Sequence, residues 1–265
     1  MKTRYFFTKT IVIILTLLLS AGLASCGGQT TKVRVGTSGI YSPFTFYEGE
    51  NLTGYDIEVL RLLESRMDGV EFEFVATMTF EGLIAGLDAG NYEMVAQQIA
   101  QNAERREKYL FPEYGYTLAE TYLVVHENET RTQLSQFAGD TLGGLSNDFF
   151  RRVLDSHNED LGNIFTVNTY EDYTPLFLDI HMGRVAGTLN DNIVIAYQAQ
   201  HLGMDLKFVG EPLEEDFSYF LLPQTDAGRD LRDKLDKALE ETLADGAMAA
   251  LSVEWFGADY TGGGK

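Results

Sequence analysis

Residues 70–96 read VEFEFVATMTFEGLIAGLDAGNYEMVA. Val70, Phe72 and Phe74 alternate with charged or polar residues, the period-two pattern of a strand with one buried face. From about Phe80 to Ala89 the apolar residues take up helical spacing, and Gly90 supplies a stop signal. Tyr92 to Ala96 then forms a second apolar run of strand length. Strand, helix and strand in this order make a β-α-β unit, whose crossover helix joins two parallel strands.

The same rhythm extends in both directions. Upstream, a strand is expected at Val33 to Val35 and a helix from about Tyr55 to Met67, with Ile57, Leu60, Leu63 and Met67 at helical spacing. Downstream of Val124 a second series begins. Strands are expected at Thr141 to Gly144, Ile164 to Val167 and Val185 to Leu189. Helices are expected at Phe149 to Leu154, Glu171 to His181 and Asn192 to Gln200. The chain closes with strands Leu206 to Val209 and Phe217 to Leu222, separated by a break at Glu211 and Pro212, and a helix from about Asp226 to Ala244. These units predict an α/β fold of two lobes, each with a largely parallel sheet. No Ser- or Pro-rich linker separates the series, so extended segments should cross between the lobes more than once and act as a hinge.

The first 25 residues have a different chemistry. Lys2, Arg4 and Lys9 precede the apolar run Ile11 to Leu19, a basic stretch followed by a core too short to span a bilayer. This is read as an export signal over residues 1–25. Leu23-Ala24-Ser25-Cys26 resembles a bacterial lipobox, which makes Cys26 the expected lipidation site and residues 26–31 a tether to membrane lipid. Cys26 is the only cysteine, so neither an intrachain disulfide nor a cysteine-rich zinc site is available. A formal charge of −20 repels the phosphate backbone and excludes nucleic acid as an expected partner.

Catalytic patterns are absent. His126, His157, His181 and His201 are scattered along the chain, and Gly144-Leu145-Ser146-Asn147-Asp148 lacks the closing glycine of a nucleophile elbow. No metal or cofactor is expected. Two strand-to-helix junctions hold the candidate chemistry. In Gln97 to Arg105, Asn102 is a candidate N-cap and Arg105 sits in the first helical turn, where the helix dipole disfavours a cation. Arg105 is then either a solvated surface arginine or a fork for a carboxylate. In Asn190-Asp191-Asn192, Asp191 is either a helix cap or a carboxylate that faces an ammonium group. An arginine in one lobe and an aspartate in the other would suit a zwitterion such as an α-amino acid.

Several short strings in this order carry a resemblance. They are Val35-Gly36-Thr37 with Tyr41-Ser42-Pro43-Phe44, Leu52-Thr53-Gly54-Tyr55-Asp56-Ile57-Glu58, Glu81-Gly82-Leu83-Ile84-Ala85-Gly86-Leu87, Glu104-Arg105 before Tyr109-Leu110-Phe111, Gly183-Arg184-Val185, Thr188-Leu189-Asn190-Asp191 and Trp255-Phe256-Gly257. From Val33 to Tyr260 the chain resembles bacterial extracellular solute-binding proteins of family 3, the polar amino acid receptors of ABC importers. The resemblance implies a periplasmic-binding-protein-like fold, with two α/β lobes, two crossover strands and a cleft that closes on its ligand. Residues 32–118 and 215–261 would form one lobe and 119–214 the other. It further implies that Arg105 holds an α-carboxylate, Asp191 an α-amino group, and Tyr41 and Phe80 the walls. The protein would be a monomer outside the cytoplasm that delivers its amino acid to a membrane permease.

The family often carries small hydroxyl residues or glycine where Gln97, Gln98 and Ala100 stand. Gln98 followed by an aliphatic residue, with the Thr188 to Asp191 string, is closer to cystine-type receptors, so cystine is the ligand expected first. Ser146, Asn147 and Asp148 occupy the place of a second carboxylate-binding turn. Asp148 there either favours a ligand with a second cationic group or caps the next helix. The rival from another class is a periplasmic cyclohexadienyl or arogenate dehydratase on the same scaffold, which would need a general acid in the cleft. A sensor or a wall-cleaving enzyme with this fold as one module would need a further domain or membrane helix after the lobes.

Overall fold

Strand β1 (Thr31–Thr37) is followed by a three-stranded antiparallel meander of β2 (Ile40–Tyr41), β3 (Thr45–Glu48) and β4 (Asn51–Thr53). This computed structural model describes residues 30–264, except Met78, Asn147 and Asp172 and the side chains of Phe80, Glu81, Ala199, Gln200 and Leu202. The signal segment and Cys26 therefore lie outside the described residues. Helix α1 (Tyr55–Glu64), β5 (Val70–Ala76), α2 (Phe80–Asp88) and β6 (Met94–Ala100) complete the first β-α-β pattern. Short elements α3 (Ala103–Lys108) and β7 (Tyr109–Leu110) lead into β8 (Thr117–His126). The second series comprises β9 (Thr141–Leu145), α4 (Phe149–Asp160), β10 (Thr166–Tyr170), α5 (Tyr173–His181), β11 (Thr188–Asp191) and α6 (Asn192–Leu202). Strand β12 (Leu206–Pro223), α7 (Asp226–Ala244) and α8 (Ala247–Phe256) close the chain.

The main sheet has the order β11-β8-β12-β6-β1-β5, with β7 paired to β12. Here the expectation of a largely parallel sheet needs correction. Strands β1 and β6 run parallel, as do β9 and β10 in their own small sheet. Strand β12, however, is antiparallel to both β6 and β8, and β11 is antiparallel to β8. The crossover strands β8 and β12 make this difference, because they lie side by side and run in opposite directions.

The expected break at Glu211 and Pro212 is a second correction. Strand β12 runs unbroken from Leu206 to Pro223, and its register on β8 shifts between Val209 and Glu214. Gly210 to Leu213 face only Tyr122, so Pro212 sits in a bulge where no ladder N–H is required. Helix α1 ends at Glu64 and not at Met67. The N–H groups of Arg66 and Met67 turn back to Leu63 and Glu64, tightening the last turn while Met67 stays buried. Strand β6 starts at Met94 and continues past Ala96 to Ala100, held by pairs Ser218 with Ala100 and Tyr219 with Ile99. Helix α4 continues to Asp160, six residues past the expected end. The strand expected at Val185 to Leu189 lies at Thr188–Asp191, and that expected at Ile164 to Val167 lies at Thr166–Tyr170.

Alternation along β6 serves two cores. Met94 and Ala96 join the large cluster beneath α1, α7 and α8, while Val95 and Ile99 face Leu83, Leu87 and Tyr92 on the other side. A third cluster of Leu123, Leu142, Leu154, Phe165 and Leu189 fills the second series. On α7, Leu231, Leu235 and Leu239 are buried. Each such leucine contributes about 1.5–3 kcal/mol by burial, which is what holds α7 on the core.

Candidate ligand-binding cleft

The C-terminal ends of β6 and β11 and the bodies of β8 and β12 line one cavity of about 300 Å³. Tyr41 and Phe44 from the meander, Gln98 and Ala100 from β6, and Asp191 from the end of β11 all line it. The far wall comes from Phe149 and Phe150 at the start of α4, and the rim from the acidic run Glu214, Glu215 and Asp216 of β12. The rings of Tyr41 and Phe44 pack against each other with centroids 5.0 Å apart and planes tilted by 40°, giving one apolar face. Residues from both series of the chain thus meet around a space of amino acid size.

Asp191 is 5% exposed, and its Oδ1 accepts the N–H of Val194 at 2.7 Å, so it caps α6. Burial raises its carboxyl pKa to about 6, opposed by the N–H groups of Val194 and Ile193 and reinforced by the Asp148 charge. A cation placed beside Asp191 would restore its ordinary acidity. Tyr41 feels the same field: burial first, then the charges of Asp191, Asp148 and Asp56, drive its hydroxyl pKa well up. The cleft is therefore a place of concentrated negative charge around one tyrosine.

Arg105 is not among the lining side chains. From the first turn of α3, where Asn102 Oδ1 accepts its backbone N–H at 2.8 Å, it donates through Nη1 to the carbonyl of Ala100 at 2.8 Å. Its charge also opposes the upward push of burial on the Asp216 carboxyl. Asp148 caps α4, accepting from the Phe150 N–H at 2.9 Å and from the Tyr173 hydroxyl at 2.6 Å. Ser146 is exposed, and its N–H goes to the Tyr170 carbonyl at 3.2 Å. Asn147 and the Phe80 side chain lie outside the described residues.

Sequence reasoning missed Phe44, Ala119, Thr121, Phe149, Phe150, Phe217, Ser218 and the acidic run of β12 as site residues. The signal for Phe149 and Phe150 was present, since they open the helix after β9 at the same kind of junction as Asp191. Ser218 and Thr121 depend on the register between β8 and β12, which no local pattern encodes.

A larger cavity, about 450 Å³, lies beneath the β12 bulge and is lined by residues such as Leu134, Leu161 and Pro212. It holds neither of the candidate junctions, so size alone does not choose the site. His126 and His181, read as scattered, come together with Asp205, with possible ligand atoms within 4.8 Å of one another. Each ring, however, uses Nδ1 to accept a backbone N–H, from Asn128 and from Asp205 respectively, both at 3.1 Å. Those Nδ1 lone pairs are engaged, one within the turn after β8 and the other between the end of α5 and the start of β12.

Two α/β series, crossover strands and a polar cleft between them define a ligand-binding protein of the periplasmic-binding-protein-like class. The description "Bacterial extracellular solute-binding proteins, family 3" matches residues 33–258, and the chain belongs to that family. YxeM of Bacillus subtilis, described as a probable amino-acid-binding protein, is 29% identical over 260 residues, covering 95% of this chain and 96% of its own. The L-cystine-binding protein TcyK of Bacillus subtilis is 28% identical over 273 residues, covering 98% of each chain. Among solved structures, the L-cystine solute receptor of Neisseria gonorrhoeae, in an unliganded open conformation, superposes with a TM-score of 0.71 at 25% identity. That match covers 87% of this chain and 94% of the receptor. No helix among the described residues is long and apolar enough to cross a membrane.

Proposed function

We propose that the cleft captures one polar α-amino acid, with L-cystine the first candidate, and that the loaded protein delivers it to an ABC permease. The observation that carries this reading is a single cavity lined by both Gln98 of β6 and Asp191 of β11. Asp191 would take the α-ammonium group, Arg105 the α-carboxylate, and Tyr41 with Phe44 the side chain. In this reading residues 32–118 and 215–261 act as one lobe and 119–214 as the other. Strands β8 and β12 pass both boundaries and serve as the hinge. Residues 1–25 export the chain and Cys26 carries the lipid that tethers it outside the cytoplasm, where it works as a monomer.

A second reading has its own observation. Asp191, Glu214, Glu215 and Asp216 face the cavity, and Arg105 lies behind its wall. Such an excess of carboxylates suits a ligand with two cationic groups, which L-cystine has and L-arginine also has. Calorimetric titration with L-cystine and L-arginine separates the two. Saturable binding of either supports capture of an amino acid, and binding of neither rejects both readings. The enzyme alternative would cast Asp191, the buried carboxyl that lines the cleft, as its general acid. The named relatives are binding proteins, and incubation with arogenate or prephenate should leave the substrate unchanged.

A further inference from the structure

Behind the cavity wall, and not lining it, lies Asp56 in the first turn of α1. It is fully buried at 0% exposure, and its Oδ1 accepts from Gln98 Nε2 at 2.5 Å. The Tyr116 hydroxyl sits beside the same amide at 3.4 Å. Gln98 itself holds φ at +49°, a left-handed backbone that a residue other than glycine keeps only when its surroundings enforce it. Its Oε1 accepts from the Ser218 hydroxyl at 2.7 Å. Gln98 and Ser218 both line the cavity.

This chain has a fixed polarity. The Asp56 Oδ1 is the acceptor in this contact and only the NH₂ end of the Gln98 amide can donate to it, so Gln98 turns its NH₂ toward Asp56 and its carbonyl toward Ser218. Ser218 has one proton and spends it on Gln98. What remains for the cavity is the lone pairs of the Ser218 oxygen. Replace Asp56 by a group that can donate, or by one that does neither, and Gln98 is free to turn round. Ser218 would then present its proton to the cavity.

The geometry points to Asp56 as a positioning residue that, through Gln98, holds Ser218 as a hydrogen-bond acceptor for an N–H group of the ligand, favouring a protonated amine at that point over a carboxylate. This inference rests on the proposed reading of the cavity as the amino acid site. It assigns the wall at Ser218 a sign that no local motif announces. It also extends the acidic character of the cleft to a position where the lining residue is neutral.

The test is a double-mutant cycle read by calorimetric titration with L-cystine and L-arginine, on D56L, D56N, S218A and the D56L/S218A double variant. D56L and S218A should each weaken the better probe by about tenfold, the size of one lost hydrogen bond to a charged group. The double variant should be no weaker than D56L, because both changes break one relay. D56N, which can still accept through its carbonyl, should lose less than D56L. Thermal unfolding of D56L should not be easier than that of the parent, which separates positioning from loss of fold. Multiplying losses, or parent-like binding by D56L, would overturn the inference while leaving amino acid capture intact. If the parent binds neither probe, the reading of the cavity fails and the inference with it. Should D56L not fold, the same non-multiplying pattern is expected, at smaller size, between D56N and S218A.

Discussion

Arg105 reaches back from the first turn of α3 to the carbonyl oxygen of Ala100, with Nη1 and oxygen 2.8 Å apart. The bond ties the guanidinium to the end of β6 at Ala100, a residue that lines the cavity and lies one beyond the pair Ile99 and Tyr219. The guanidinium presents its N–H groups as a planar fork, the geometry that matches a carboxylate. Arg105→Ala should therefore weaken amino acid binding by roughly 2–5 kcal/mol, as for other truncated buried charge pairs. Arg105→Lys should recover only part of it, because a point charge cannot keep both bonds. Titration calorimetry on the two variants checks the order.

Asp191 and Asp56 make a pH prediction. Burial raises their folded pKa values to about 6 and about 7, above the ordinary carboxylate range near 3.8. Between pH 4 and 7 the folded chain holds protons that the unfolded chain has released, so ligand-free stability falls as pH rises through that window and levels above it. Asp191→Asn should unfold at a higher temperature than the parent at pH 8 and show little difference at pH 4. Ligand binding runs the other way. An ammonium group favours ionised Asp191, so affinity should drop as pH falls below about 6, with proton release on binding detectable in buffers of different ionisation enthalpy.

Asp148 should separate stability from binding. Its carboxylate is already engaged by the Phe150 N–H and the Tyr173 hydroxyl. Asp148→Ala should cost about 0.5–2 kcal/mol of unfolding free energy, the usual value of a helix cap, and change ligand affinity much less than Asp191→Ala. Urea denaturation and titration on the same two proteins measure both.

Gly54 is a backbone prediction. It holds φ at +129°, and a Cβ there would stand 2.1 Å from the Phe44 carbonyl oxygen. That carbonyl accepts the Asp56 N–H at 3.0 Å, so the turn carrying Phe44 is docked on the start of α1. Gly54→Ala should destabilise by about 3 kcal/mol or more and displace Phe44 from the cavity wall. Chemical denaturation gives the first number and ligand affinity the second.

These cases show how far local sequence reaches. Helix α7 was legible to its ends, since Thr225 caps it and Leu231, Leu235 and Leu239 keep one face. Asp191 and Asn102 were legible as junction residues because capping is a local act. Strand β12 was read as two pieces because Pro212 breaks a ladder, and only its long partner β8 shows that a bulge takes up the proline. The roles of Asp56 and Ser218 were out of reach for the same reason. Gln98 joins them across 42 and 120 residues of chain, and no period within a single element encodes such a contact. Arg105 was legible as a cation in an unfavourable place, but its lean on Ala100 needed β6 to run past Ala96.

The central claim, that the space between Gln98 and Asp191 is an amino acid site, is tested most directly by thermal unfolding of residues 27–265 against the common amino acids and L-cystine. A ligand at 100 times its dissociation constant should stabilise the folded chain by about 2.7 kcal/mol. The account predicts one or a few responders, L-cystine or L-arginine among them, and loss of the response in Arg105→Ala. A folded protein whose unfolding temperature stays level across the whole panel would contradict it.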